Sequence, residues 1–387
     1  MSNAPIYHID PNAFWIDPYP DLAEMRANAP IAYVPELDAT LLTLRDDIFR
    51  EEKNIAVFSS EQPGGLMTTL MGENMMRKDG APHMAERKAI FPTVSPRTVR
   101  DVWKSQFESA TRAILDRLPS DQVDLVSDFA MPVSAEALKA ITGLTNMHFA
   151  EMDRVSQGMI DGCANYGGDP KVEANCHDCT ASIDAHIDEQ IPILKREPDL
   201  SLLSVAMKSG MPEGQVRANV KLAISGGQNE PRDAIAGAIA ALLQHPLQLE
   251  KALSGKVSWL QVFEEYARWM SPIGMTPRRI AQRYTLDGIT FEPEDRAFLM
   301  FGSGNRDELI FDHSDTFDVT RDTIKAISFG AGPHFCAGAW ASRCMIAEVA
   351  LPMFFERFAD ATLTEPVAYR GWAFRGPLSV QASGLVQ

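Results

Sequence analysis

The sequence predicts a mainly α-helical fold with small peripheral β-sheets, and three observations carry that prediction. From about residue 99 to 250, apolar residues recur at three- and four-residue spacing through "VRDVWKSQFESATRAILDRL", "SAEALKAITGL", "CTASIDAHIDEQIPILKRE" and "EGQVRANVKLAISGGQNEPRDAIAGAIAALLQHP". Extended patterns are confined to "IAYVPELDATLLTL", "YTLDGITFEPEDRAFLM" and the tail "LSVQAS". No linker, internal repeat or low-complexity tract divides the 387 residues, so residues 1–387 read as a single domain with a sizeable core.

Composition narrows the function classes. Hydrophobic residues make up 45% and charged residues 23%, an ordinary globular balance that argues against long disordered tails. A net charge of −16 argues against a nucleic-acid partner, because neutralising phosphates requires a basic face. Local basic patches around "RKDGAPHMAERK" and "TPRRIAQR" suit an acidic protein partner instead. No apolar run has the length of a signal peptide or membrane span, so a cytoplasmic protein without a membrane partner is expected. The cysteines (Cys163, Cys176, Cys179, Cys336, Cys344) are odd in number and lack a disulfide spacing, which suits a reducing compartment. Cys176 and Cys179 form a C-x-x-C near His177 and His186. No second ligand pair follows at zinc spacing, so two cysteines on one helix face are expected in preference to a metal site.

The stretch "ISFGAGPHFCAGAW", residues 327–340, surrounds one thiol with glycines and a proline. Gly330, Gly332 and Pro333 forbid regular structure before Cys336, whereas "AGAWASRCMIAEVALPMFFERF" after it has helical periodicity. Cys336 is therefore expected near a helix N-terminus, where unpaired N–H groups favour a thiolate able to act as metal ligand or nucleophile. Bare backbone before it lets a flat, bulky group approach. A buried structural cysteine is the plainer alternative.

Phe329, Gly332, Cys336 and Gly338 reproduce F-x-x-G-x-x-x-C-x-G, which resembles the haem-binding signature of the cytochrome P450 family, with His334 and Arg343 also at family positions. "EEYARW" supplies the family's E-x-x-R as Glu265 and Arg268, a pair on one helix face. Phe317, Asp318 and Arg321 resemble the segment preceding the haem loop. His83 and Arg87 in "HMAER" resemble the pair that reaches the haem propionates, and Arg279 in "TPRRIA" resembles a further propionate partner, with Arg278 as the alternative. The motifs keep family order from about residue 8 onward. The resemblance implies the triangular helical P450 fold, haem b held by Cys336, and thiolate push that favours O–O cleavage. Two departures stand out. Met345 occupies a position that is commonly acidic, and Pro352 interrupts the cysteine helix, where a lost hydrogen bond and a bend are expected.

"LAISGGQNEPRDAIAGAIAALLQHP" is expected to form the long helix that crosses the distal face in this family. Relatives carry an acid followed by a threonine there; this chain places Asn229 and Glu230 at those positions. Gly226 and Gly227 loosen the helix, and Pro231 is expected to bend it. A buried Glu230 would have its pKa raised towards the range of a general acid–base. The alternative is a Glu230 salt-bridged to Arg232 or another neighbour. The Glu-Pro variation resembles bacterial enzymes that O-demethylate methoxyphenols.

The loop "SSEQPGGLMTTLMGENMMRK" corresponds to a pocket-lining segment in the family, which makes Met71 and Met75 pocket candidates for a small apolar or aromatic substrate. Packing of the loop onto the core accounts equally well for these methionines. Ser225, Gly226, Met275 and Phe374 are further candidates by resemblance. Without an attached flavin or iron–sulfur domain, electrons are expected from a separate ferredoxin and reductase. Three readings follow: a monooxygenase of that kind, a peroxygenase driven by hydrogen peroxide through Glu230, and a non-enzymatic haem protein that binds or senses a ligand.

Overall fold

The computed structural model describes residues 2–119, 122–165 and 167–385. Its principal elements, in chain order, are strands β1 (Ile31–Val34), β2 (Ala39–Leu42), β3 (Phe58–Ser59), β4 (Thr276–Ile280) and β5 (Arg296–Leu299). The principal helices are α1 (Arg45–Glu51), α2 (Gly80–Val94), α3 (Met131–Thr142), α4 (Phe149–Cys163), α5 (Pro170–Arg196), α6 (Glu213–Ser225), α7 (Asn229–Gln244) and α8 (Trp259–Met270). Their contacts group into two compact units, one of segments up to Gln62, Gly237–Cys336 and Leu363–Val380, the other of Pro63–Ala236, Ala337–Thr362 and the residues from Gln381. No helix among the described residues is long and apolar enough to cross a membrane.

The first unit is built on a sheet of order β1-β2-β5-β4-β3 in which β2 and β5 run parallel and the other neighbours antiparallel. Leu42, Phe58, Ile280, Phe291 and Leu299 pack into one apolar cluster of this unit. Strand β4 was not predicted: its sequence, TPRRI, has a proline and two arginines and no apolar alternation. Pairing of Arg278 with Ala297 and of Ile280 with Phe58 makes it a strand all the same. Helix α8 starts in a reciprocal capping box between Ser258 and Gln261. A Cβ at Gly237 would lie 1.7 Å from the Tyr266 hydroxyl oxygen, so glycine is what allows α7 and α8 to approach here.

The second unit is helical. Leu138, Val155, Ile183, Ile187, Val220 and Ile224 share an apolar cluster, to which α3 to α6 all contribute. Glycines bring α4 and α5 together: a Cβ at Gly158 or Gly162 would meet the sulfur of Cys179 at 2.4 Å or of Cys176 at 2.6 Å. Both thiols are buried in this contact, and burial pushes that of Cys176 up to about 11. The C-x-x-C is thus part of the packing between α4 and α5. After the cysteine loop the chain is helical over Ala339–Arg343, widens to π-type hydrogen bonding over Cys344–Ala350, and resumes as Leu351–Arg357. Pro352 falls in the first turn of that last segment, where its missing N–H is tolerated, so the irregularity precedes the proline.

The long helix expected through residues 222–246 is two helices. α6 ends at Ser225 and α7 begins at Asn229. Pro231 stands in the first turn of α7, where no intrahelical partner is lost, and the interruption belongs to Gly226, Gly227 and Gln228.

Candidate active site

In the first unit the cysteine loop closes on itself: Cys336 N–H donates to the Phe329 carbonyl at 2.9 Å, Phe335 N–H to Gly332 at 3.2 Å, and Gly330 N–H to Ile327 at 2.9 Å. Gly330 and Gly332 have φ of 70° and 62°, left-handed values suited to glycine. The room beside them is taken by the end of α1, since a Cβ at Gly330 would lie 2.9 Å from Glu52 Oε2 and one at Gly332 would lie 2.9 Å from Lys53 Cγ. The expected reason for these glycines, access for a flat group, is therefore joined by an internal one. Phe329 packs its ring 6.1 Å from Phe263 and 6.4 Å from Phe335. His334 ends the 3₁₀ turn Gly332–His334, and Cys336 is exposed.

Asn305 and Glu52 help to fasten this loop. Asn305 Oδ1 accepts from Ile327 N–H at 2.8 Å, and Glu52 Oε2 accepts from Ala331 N–H at 3.1 Å. Glu52 is also the ion-pair partner of Arg278. Burial pushes the Glu52 carboxyl up against the pull of that guanidinium. Arg279, one residue on, turns elsewhere: it donates to the Glu61 carbonyl at 2.8 Å and to Glu294 at 2.6 Å. The predicted pair in α8 is fully buried, with Arg268 donating to Glu265 at 2.7 and 2.8 Å and to the carbonyls of Asn305 and Ser314 at 2.8 Å each. Glu265 also accepts from Asp318 N–H at 2.9 Å and from Arg321 at 3.3 Å.

In the second unit, the break between α6 and α7 is a polar junction. Hydroxyls join backbone donors on its carbonyls: Ser134 donates at 2.8 Å to Gln228 O, which also accepts from Arg232 N–H at 3.3 Å, and Ser156 donates at 3.2 Å to Ile224 O, which also accepts from Gly227 N–H at 3.3 Å. Asp153 accepts from Gln228 Nε2 at 3.1 Å and from Arg232 at 3.0 Å, while Arg232 also donates to Asp233 at 2.9 Å. Asn229 donates to Gln157 at 2.8 Å, but its Oδ1 takes no hydrogen bond. Neither oxygen of Glu230 takes one from a neighbouring residue, although both are shielded from solvent. Desolvation raises the Glu230 carboxyl to about 7. Ser225 donates to Leu222 O at 3.1 Å, and Gly226 is exposed at the break.

The remaining candidates fall into distinct settings. His83 and Arg87 lie on α2; His83 is buried with Nδ1 at 2.9 Å from the Met75 carbonyl. Asn219 of α6 accepts from Met75 N–H at 3.1 Å and donates to Glu86 at 2.7 Å, with Lys78 pairing to the same carboxylate. Met71 belongs to the apolar cluster of the second unit, its sulfur 3.6 Å from that of Cys163. Met275 packs beside Phe14, Leu22 and Phe298, while Phe374 is exposed and bridges to Ile273. Gly338 caps the short helix that follows the cysteine. Sequence reasoning missed Glu52, Ser134, Asp153, Ser156 and Asn219. Each holds its place by a tertiary partner distant in the chain, which leaves no local signal.

These residues fit a haem. The exposed Cys336 thiol, outside any disulfide and on a fastened loop, is a soft donor of the kind an iron takes, and no three His, Cys, Asp or Glu side chains among the described residues cluster into a metal site of their own. A single protein ligand is what an iron already held by a porphyrin requires.

No family model matches the chain. Among curated proteins it is 27% identical over 312 residues to cytochrome P450 107B1 of Saccharopolyspora erythraea, covering 79% of this chain and 74% of the relative. It is 25% identical to linalool 8-monooxygenase of Pseudomonas putida, covering 88% and 87%. Among solved structures, P450BioI in complex with an acyl carrier protein ligated to hexadec-9-enoic acid matches with a TM-score of 0.89 and 22% identity, over 97% of this chain and 100% of that one. Epothilone D-bound P450epoK matches with a TM-score of 0.86 and 22% identity, over 97% and 98%. With the ordered motifs around Cys336, these relationships make the chain similar to the haem b-dependent monooxygenases of the cytochrome P450 family, whose fold it shares.

Proposed function

We propose that this enzyme hydroxylates or O-demethylates a small apolar or aromatic compound, a methoxyphenol-like substrate among them, with Glu230 as its acid–base group. Dioxygen and electrons from a separate ferredoxin and reductase complete the reaction. One observation carries the reading: a carboxyl shielded from water, with no hydrogen bond from another residue and no ion-pair partner, raised by burial to about 7. At neutral pH such a group is both protonated and ionised in useful amounts, so it can give a proton from Oε and take it back. Gln228 and Arg232 are held by Asp153, so the downward pull of the Arg232 charge on Glu230 is outweighed by burial. Cys336 would ligate the iron, and His83, Arg87, His334 and either Arg278 or Arg279 would meet the propionates. Bound haem supplies the iron centre at which the oxidant is activated, with electron density from the thiolate. A substrate of apolar character accords with the name of the linalool relative.

The same observation favours a second reading, in which hydrogen peroxide replaces dioxygen and electrons. Splitting peroxide requires a proton to leave one oxygen and return to the other, which one carboxyl suffices to do. Aromatic ethers, phenols and terpenes should be screened for a substrate-induced shift of the Soret band, and the responders turned over either with peroxide or with ferredoxin, reductase and dioxygen. Oxidised product in either arm supports the monooxygenase reading and selects the oxidant. Substrate shifts without product in either arm would return the chain to a ligand-binding role.

A further inference from the structure

Glu52 follows α1 within "RDDIFREEKN", a run whose charges read as a solvated face. It is nevertheless 2% exposed, and its partner Arg278 in β4 is 3% exposed. A carboxylate buried so deeply is tolerated only when donors replace water. Glu52 has two kinds: the Arg278 guanidinium on Oε1 and the Ala331 N–H on Oε2 at 3.1 Å. Gly330 lies against the same Oε2, so carboxylate and loop touch at successive residues. Ala331 lies inside the ring that closes from Cys336 N–H to Phe329 O. The other tether, Asn305 on Ile327, acts before that ring begins.

We propose that Glu52 is a positioning residue for the Cys336 thiolate. Arg278 fixes its carboxylate, the carboxylate fixes Ala331, and Ala331 holds the ring in which Cys336 is the last member. The inference rests on Cys336 being the axial ligand. A thiolate remains ionised and bound while the backbone around it keeps its register, and groups that orient a ligand from behind tune the metal nearly as strongly as the ligand itself.

The test compares Glu52→Gln, which retains an acceptor oxygen for Ala331, with Glu52→Leu, which retains none. Haem-loaded proteins are read by hydrogen exchange of a peptide spanning residues 327–336 and by the Soret band of the reduced carbon monoxide complex. In Glu52→Leu the Ala331 amide should exchange at least about tenfold faster, as a locally opened segment does, and part of the complex should move to the neutral-thiol band. Glu52→Gln should keep the unmutated exchange and the thiolate band. Unchanged exchange and band in Glu52→Leu overturn the proposal, as does a Gln variant as impaired as the Leu variant, which would make charge pairing with Arg278 the role of Glu52. If Glu52→Leu takes up no haem, the Gln variant decides: retained exchange and band support the tether, faster exchange overturns it. A histidine-like band in the unmutated protein instead signals failure of the ligand assignment, separately from any variant.

Discussion

Glu230 and Arg232 stand two residues apart in the first turn of α7, yet they do not pair. Arg232 donates to Asp153 at 3.0 Å and to Asp233 at 2.9 Å, which leaves the Glu230 carboxyl shielded and without an ion-pair partner. This arrangement disfavours the salt-bridged alternative and leaves Glu230 available as an acid–base.

Replacing Glu230 by Gln preserves shape and removes proton transfer. Peroxide-driven turnover should fall by roughly 10²- to 10⁴-fold while the substrate-induced Soret shift persists. Equal peroxide use by both proteins would assign the proton route to another group.

The same carboxyl should leave a mark on stability. It is raised from 4.5 to about 7 in the folded protein, which therefore holds a proton that the unfolded chain has released across that interval. Its stabilising contribution is present below the unfolded value and lost as pH rises through the folded one, on the order of 3 kcal/mol in all. Denaturation midpoints measured at about pH 4.5 and pH 8 should draw together in Glu230→Gln.

Glu265→Ala strands the fully buried Arg268 guanidinium. The loss should be about 3–5 kcal/mol, enough to prevent haem incorporation in a marginally stable protein. Absorbance ratios of haem to protein after purification provide the measurement, and full loading would count against the pair.

Cys336→His exchanges a thiolate donor for an imidazole. The reduced carbon monoxide complex of the unmutated protein should show the thiolate band, and that of the variant the histidine-type band.

Gly237→Ala places a methyl group where the Tyr266 hydroxyl stands. Overpacking here should cost about 1–3 kcal/mol or more, read as a lowered denaturation midpoint, and Tyr266→Phe should relieve much of it.

Much of the first unit's chemistry was legible in the sequence because it lies in short, contiguous signals. A glycine-rich turn before a helical run located Cys336, and three-residue spacing brought Glu265 and Arg268 to one helix face. The helical periodicity of residues 99–250 likewise marked the elements of the second unit. At the central interruption the sequence pointed to two glycines and a proline bend; in the first turn of α7 Pro231 costs nothing, and the break falls at Gly226 and Gly227. Strand β4 and Glu52 were hidden for another reason. Each departs from the local pattern of its own segment and is accounted for by partners elsewhere in the chain, Ala297 and Phe58 for β4 and Arg278 with Ala331 for Glu52.

The doubly hydrogen-bonded carbonyls at the α6–α7 junction bear on when the chain opens there. A continuous helix would have to surrender backbone hydrogen bonds to make the same gap. Here Gln228 O and Ile224 O each accept a serine hydroxyl as well as a backbone N–H. The gap is settled once, during folding, and neither of these carbonyls is left to draw it shut.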